Sequence, residues 1–422
     1  MAAVKKKQKF SLAELFGNLI NYGSMDILFL IFVLAILCFG LIMQFSASYP
    51  YAYYKYDDPM YFFKRQAIFA VLGIAAMLAV SRINFETWRR LYKIILAVTV
   101  GLLLIALVLP EYKPGFKRWI NLGFMTFQPS EIAKFTLILV SAVIFDAYHR
   151  DMFSNKMSRG RFARMVDIKY RRFIKESSFP TIAVVLLTGM FAVLIYMENH
   201  LSGAVIIFLI GCVMMFLGGV RDRWFIIGVI GVLGAAALVC YLVMSTRDSG
   251  SGGILQKYMG NRIIGWLDKD FEPTGARWQT NQSLYAIGSG GFFGTGLGGS
   301  TQKYMYVSEP QNDFIFAIVC EETGFFGAMI LLLLFTLLVW RGIVIGTTAK
   351  NRFGGLLAMG IVLQVGIQVI LNIAVATDSI PNTGISLPFF SYGGTSLVIF
   401  MVQMGMVLSV SRSSRNKKSL KE

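Results

Sequence analysis

The chain has 422 residues, of which 56% are hydrophobic and only 15% charged, with a mean hydropathy of +0.62. Soluble globular chains carry about 25% charged residues, so the composition excludes an ordinary soluble protein and points to an all-α polytopic membrane protein. The formal net charge of +17 gathers in clusters beside apolar runs, where the positive-inside rule and anionic headgroups place basic residues; no nucleic-acid partner is needed to explain it.

A basic segment, 1–25, carries Lys5, Lys6, Lys7 and Lys9 into a first apolar run at 26–46. That run is about 20 residues, longer than the 7–15 of a cleavable signal core, and is read as a retained span. Further runs able to cross about 30 Å of hydrocarbon follow at 66–81, 92–110, 130–147, 180–197, 202–219, 224–244, 313–340, 355–376 and 392–411. The expectation is therefore one membrane domain over 26–411 with about ten helices. Basic residues crowd the 148–179 loop, from Arg150 to Lys175, and the tail at 412–422. Both are expected on the cytoplasmic side together with the N-terminus. Alternation then places the loops at 47–64, 111–128 and 378–390, and the long one at about 245–312, outside, where they can converge.

Several constellations carry chemistry. Lys117 and Arg118 lie beside Trp119 in an outside loop, where topology does not explain cations; they suit a phosphate or pyrophosphate, or snorkelling beside a belt tryptophan. Gln128, Pro129, Ser130 and Glu131 open the fourth span, and Glu131 and Lys134 at i, i+3 share one helix face. Ionisable residues inside a span usually line a cavity or pathway. The segment from Gly260 to Gly327 is long, aromatic and polar, with Asp268, Asp270 and Glu272 close together; a loop of this length is functional or disordered, and its aromatic content favours function.

Further along, Glu309 and Asp313 precede the eighth span. Glu321 lies roughly 12 Å beyond Asp313 along it, which calls for a buried partner or a polar groove. The glycines from Gly288 to Gly299 lack the Lys-Ser/Thr of a phosphate loop and are read as tight turns at the membrane surface. The Pro381–Ser396 segment has two prolines and paired glycines, and irregular backbone at membrane depth is tolerated only against protein or a wet cavity; a re-entrant wall is expected. Cys38, Cys212, Cys240 and Cys320 all fall in apolar runs without metal-ligand spacing. With only His149 and His200, in different loops, acid chemistry must rest on carboxylates.

These residues closely resemble the SEDS family, the shape, elongation, division and sporulation proteins that include FtsW, RodA and SpoVE. The resemblance covers almost the whole chain. It rests on Lys117-Arg118-Trp119-Ile120, Gln128 to Glu131 with Lys134, Gln279 to Ser283 before AIGSGG, Asn312 to Ala317 with Glu321 to Gly324, and the run from Thr383 through Ser391, Tyr392 and Gly393 to Gly394. The wording of that last run is nearer to FtsW or SpoVE than to RodA.

The resemblance implies an inverting peptidoglycan glycosyltransferase of the bacterial cytoplasmic membrane. It would polymerise lipid II onto lipid-linked glycan, usually beside a class B penicillin-binding protein and other divisome or elongasome membrane proteins. A divalent cation, Mg²⁺ or Mn²⁺, is possible; no organic cofactor is implied. The family's Asp-Pro-x-Gly register falls here on Glu272-Pro273-Thr274-Gly275, so Glu272 is the implied base, with Asp270 and Asp268 as alternatives. Trp278, Gln279, Gln282, Ser283, Glu309, Asp313, Ser391, Tyr392 and Gly393 join Lys117, Arg118, Gln128, Ser130, Glu131 and Lys134 as implied substrate-binding positions. A lipid II flippase, or a silent division scaffold, is the alternative; a flippase has no need for a carboxylate in an external cleft.

Overall fold

In the computed structural model the described residues are 23–109, 118–121, 123, 126–153, 178–220, 266–267 and 277–419. The long helices are α1 (Ile27–Tyr56), α2 (Tyr61–Arg82), α3 (Phe85–Val108), α4 (Pro129–Phe153), α5 (Ser178–Met197), α6 (Leu201–Leu217), α8 (Ile315–Thr347), α9 (Arg352–Ala376) and α10 (Gly394–Ser419). A shorter α7 spans Trp278–Ser289, and the only sheet among these residues pairs β1 (Ile120–Asn121) with β2 (Thr126–Phe127), antiparallel. Nine of the expected spans thus appear as helices; the one at 224–244 lies outside the described residues, as do Lys117, Asp268, Asp270 and Glu272. Among the described residues seven helices are long and apolar enough to cross a bilayer. Two fall short: α6 has only 17 residues, and α4 carries Glu131, Lys134 and Asp146 along its length.

Several boundaries differ from the hydropathy reading: α3 begins at Phe85 rather than 92 and α8 runs to Thr347 rather than 340, and two further differences bear on the site. The 47–64 loop is mostly helix, because α1 runs through Pro50 to Tyr56 and stops at Asp57 with φ 54°; Tyr56 then stacks on Tyr61 at 3.9 Å, so aromatic packing between α1 and α2 replaces a solvated turn. At the other end α4 continues to Phe153, past the expected start of the basic loop.

Helix packing follows the rule that small residues permit close backbone approach in lipid. Where α2 crosses α10, a Cβ on Gly405 would stand 2.5 Å from the Met77 carbonyl oxygen. Isoleucine, valine and leucine side chains such as Ile94, Val71, Leu186 and Leu333 remain exposed on the outer surface, as lipid-facing residues should. One end of the bundle is clasped by Arg341 to Asp26 at 2.7 Å and by Arg89 to Asp146 at 3.3 Å. The opposite end gathers the α1–α2, α5–α6 and α9–α10 connections and holds the cavity described next.

Two irregular features shape that end. Within the 381–396 segment Leu387, Phe389 and Phe390 are buried, and the Phe389 carbonyl oxygen stands 2.4 Å from where a Cβ on Gly40 would be, so only glycine on α1 admits it. Within α8, Gly324 at φ 67°, ψ −170° breaks the helix. The backbone groups freed there are paired by the glycine turns: Thr295 and Gly296 N–H donate to the Glu321 and Glu322 carbonyls, and Phe325 and Phe326 N–H donate to Gly291 and Phe292. The chain thus supplies the hydrogen bonds that the broken helix loses.

Candidate functional site

A cavity of about 710 Å³ opens at this end. All four loop regions expected to converge contribute to it: Tyr51 to Phe69, Arg118 to Gln128, Glu309 to Asp313, and Gly384 to Ser396. Glu131 and Lys134 reach it from the first turns of α4, paired at 2.7 Å and 5% and 3% exposed. Pro129 begins that helix without needing an amide hydrogen, and Glu131 complements the helix dipole. Lys134 also lies over the Phe400 ring at 5.8 Å. Arg118 stacks on Trp119 at 4.0 Å, and both line the cavity.

At another part of the wall Lys55 and Arg65 line the same cavity among aromatic rings. Lys55 Nζ donates to the Tyr51 hydroxyl at 2.9 Å, and Arg65 lies over Tyr61 at 4.3 Å. Lys55, Arg65, Arg118 and Lys134 in one polar lining fit a ligand with anionic groups, and the rings of Tyr51, Tyr56 and Tyr61 in the same lining fit apolar or sugar surfaces.

The wall segment 309–313 is stitched in place. Asn372, fully buried on α9, forks its amide hydrogens to the carbonyls of Asp313 at 2.7 Å and Ile385 at 2.6 Å. The Ser391 hydroxyl donates to the Asn312 carbonyl at 2.8 Å, and Tyr392 N–H to that of Gln311 at 2.8 Å. Both described flanks of the segment that carries the three candidate acids end on one residue: Trp266 Nε1 donates to the Asp378 carbonyl at 3.0 Å, and Arg277 to the Asp378 carboxylate at 2.6 Å.

Of the expected substrate positions, the structure brings Arg118, Gln128, Glu131, Lys134, Glu309, Asp313, Ser391, Tyr392 and Gly393 to the cavity lining. Ser130 is buried beside it but does not line it. Trp278, Gln279, Gln282 and Ser283 also stand off the cavity. They sit on α7 as packing pins: Trp278 Nε1 donates to the Tyr306 carbonyl at 2.8 Å, Ser283 to that of Ala376 at 2.7 Å, and Gln279 accepts from Asn382 at 3.4 Å. Gln282 is buried in the same helix. The paired acids at the α8 break have the partners expected of them, Lys303 for Glu322 and Ser300 with Thr301 for Glu321.

Sequence reasoning missed Lys55, Arg65, Gln368, Asn372 and His200. His200 lies in the turn between α5 and α6, lines the cavity, and has Nδ1 3.4 Å from Gln128 Nε2. Burial first, then the cations of Arg118 and Lys134, hold it well below the usual histidine range, so it stands neutral. In the same turn Glu198 is fully buried with no protein partner for either carboxylate oxygen, and burial pushes its pKa up to about 8. Among the described residues no three His, Cys, Asp or Glu side chains are grouped to hold a metal ion.

The family described as "Cell cycle protein", FTSW_RODA_SPOVE, matches residues 26–416. Stage V sporulation protein E of Bacillus subtilis (strain 168) is 38% identical over 395 residues, spanning 93% of this chain and 98% of that protein. A probable peptidoglycan glycosyltransferase FtsW of Geobacter sp. (strain M18) is 32% identical over 393 residues, spanning 92% and 97%. A chain from "Structural coordination of polymerization and crosslinking by a peptidoglycan synthase complex" superposes with a TM-score of 0.70 at 23% identity, covering 93% of this chain and 98% of its own. The crystal structure of Thermus thermophilus rod shape determining protein RodA gives 0.62 at 24%, with 93% and 98% coverage; at these identities the superpositions establish the shared fold. By its sequence match along almost its whole length, this multi-pass membrane protein belongs to the FtsW/RodA/SpoVE family.

Proposed function

We propose that this protein is a peptidoglycan glycosyltransferase that polymerises lipid II, with its cavity end on the outer face of the cytoplasmic membrane and both termini inside. The observation that carries the reading is one cavity whose lining joins Lys55 from α1, Arg65 from α2, and Glu131 and Lys134 from α4 with Arg118, Glu309 and Asp313 from the connecting segments. Lipid II and lipid-linked glycan each present a pyrophosphate, sugars and a polyprenyl tail; the cations suit the first, the aromatic rim the second, and the lipid-exposed helices the third.

In this reading Glu272 takes the proton from the GlcNAc 4-hydroxyl, that oxygen bonds to MurNAc C1 of the growing strand, and the bond from C1 to the pyrophosphate breaks, so undecaprenyl pyrophosphate leaves. Asp270 and Asp268 are the alternative bases. Arg118 and Lys134 offset the charge that develops on the leaving pyrophosphate, while Glu131 fixes Lys134. A class B penicillin-binding protein within a divisome or elongasome assembly is the proposed partner.

Transport is tested against transfer directly. Purified protein supplied with lipid II and Mg²⁺ or Mn²⁺, with and without the penicillin-binding partner, is expected to yield glycan ladders on a gel. In proteoliposomes the same preparation should leave labelled lipid II on its original leaflet. Translocation without polymer would overturn the proposal.

A further inference from the structure

Away from the cavity, Glu321 and Glu322 sit just before the break in α8 at Gly324; both are 1% exposed and neither lines the cavity. Their environments differ. Glu322 accepts from Lys303 Nζ at 2.7 Å and from the Ser46 hydroxyl at 2.7 Å, and Lys303 Nζ also donates to Ser46 Oγ at 3.1 Å. Glu321 is held by neutral donors, the Ser300 hydroxyl at 2.5 Å, Thr301 N–H at 2.8 Å and the Thr301 hydroxyl at 3.0 Å. One buried ion pair therefore joins three elements far apart in sequence: α1 through Ser46, α8 through Glu322, and the loop through Lys303.

Desolvating two charges offsets much of their attraction, so such a pair is weak evidence for stability and better evidence for a specified geometry. What it specifies follows from the chain path. Lys303 precedes Glu309 by six residues, a reach of at most about 20 Å, and 309–313 is the cavity wall that Asn372 and Ser391 hold from the α9–α10 side. The Lys303–Glu322 pair holds the same loop from the α1–α8 side. Ser300 and Thr301 on Glu321 and the Tyr306 carbonyl under Trp278 hold the loop as well; the Lys303–Glu322 pair, with Ser46, is the contact that also ties it to α1.

We propose that Lys303 and Glu322 are positioning residues for glycosyl transfer: the pair sets the loop against α1 and α8 so that Glu309 and Asp313 stand in the cavity wall, while neither member touches substrate. The role rests on the glycosyltransferase reading, but its geometry can be tested without it.

The test compares Lys303→Met, Glu322→Gln and the exchanged pair Lys303→Glu with Glu322→Lys, in monodisperse full-length protein. Polymerisation is followed as a function of lipid II concentration. A small displacement of a catalytic wall by a remote change costs about 100-fold in rate, so each single variant is expected to lose about that much in both kcat and kcat/KM with little change in KM, the pattern of an interaction felt only in the transition state. The exchanged pair should recover most of the loss. In parallel, Glu309→Cys in a cysteine-free background should react faster with a water-soluble maleimide when Lys303 is Met than when it is Lys. Unchanged turnover per folded molecule with only a lowered thermal midpoint would overturn the proposal, as would an exchanged pair no better than the single variants or a labelling rate indifferent to Lys303. If the unaltered protein made no glycan, the glycosyltransferase reading would fall, and the labelling rates alone would decide the positioning claim.

Discussion

Replacing Lys134 by Met leaves the Glu131 carboxylate without its cation at a site that is only 5% exposed. Removing one partner from a buried pair costs about 3–5 kcal/mol, against about 0–1 kcal/mol for an exposed one. The pair lies on a cavity wall, which polar neighbours and solvent reach, so the lower end, about 3 kcal/mol, is the expected loss. If that loss falls on the transition state, it corresponds to about 100-fold in rate. Glu131→Gln leaves the opposite charge uncompensated beside the Phe400 ring and should cost a similar amount. The double variant removes both charges and should cost less than the two single losses added, with a coupling of about 0.5–3 kcal/mol. Glycan formed per folded molecule at saturating lipid II, with the thermal midpoint measured alongside, gives all four corners of the cycle. Strict additivity, or full activity in both single variants, would refute the functional pair and return it to ordinary neutralisation of a helix end.

Arg277→Met should release one flank of the candidate base segment from Asp378 and lower the polymerisation rate while the thermal midpoint changes little; a pure stability loss would show the contact to be packing only. Asn372→Ala removes both arms of the fork to Asp313 and Ile385, at about 1 kcal/mol for each hydrogen bond, and leaves the 309–313 wall more easily cleaved by protease; unchanged proteolysis would remove its role. Glu198, with its ordinary value of 4.5 raised to about 8, keeps a proton in the folded state that the unfolded chain gives up. Stability should therefore fall as pH rises between those values, and the thermal advantage of Glu198→Gln over the parent should grow from acid to pH 8; a constant difference would contradict the burial argument. For orientation, Tyr304→Cys and Lys350→Cys, both exposed at opposite ends of the bundle, are the probe pair. In a cysteine-free background only Tyr304→Cys should react with an impermeant reagent in intact cells, and the reverse would invert the proposed topology.

Much of the fold was legible because hydrocarbon selects on composition, and continuous apolar runs locate helices without tertiary information. The boundaries that slipped did so for local reasons: the aromatic residues after Pro50 read as a polar loop yet continue α1 through contacts with α2. Within the site, Glu131 and Lys134 were visible because charge inside a span demands an explanation. Lys55 and Arg65 obey the same logic as Lys117 and Arg118, cations on the side where topology does not place them, and could have been found by it. His200 and Asn372 could not, since a single polar residue beside an apolar run looks alike whether it faces a cavity or a packed core. Lys303 was invisible as the partner of Glu322 because the pair exists only once the glycine turns fold back onto the α8 break. The Trp278 to Ser283 motif carried the opposite lesson: residues through which the chain resembles the family sit here as anchors of α7 rather than on the cavity surface.

The central claim is that lipid II is joined into glycan by a base on the segment between Trp266 and Arg277. The most direct measurement is polymerisation of lipid II by purified protein carrying Glu272→Gln or Glu272→Asp, each compared with the unaltered chain at equal folded concentration. Loss of a general base costs about 10² to 10⁴ in rate, so Glu272→Gln is expected to leave no detectable ladder, and Glu272→Asp, which keeps the carboxylate, to retain or exceed the parent activity, while Asp268→Asn and Asp270→Asn do less harm. Normal ladders from Glu272→Gln, Asp270→Asn and Asp268→Asn alike would contradict the claim, because no carboxylate of that segment would then be taking the acceptor proton.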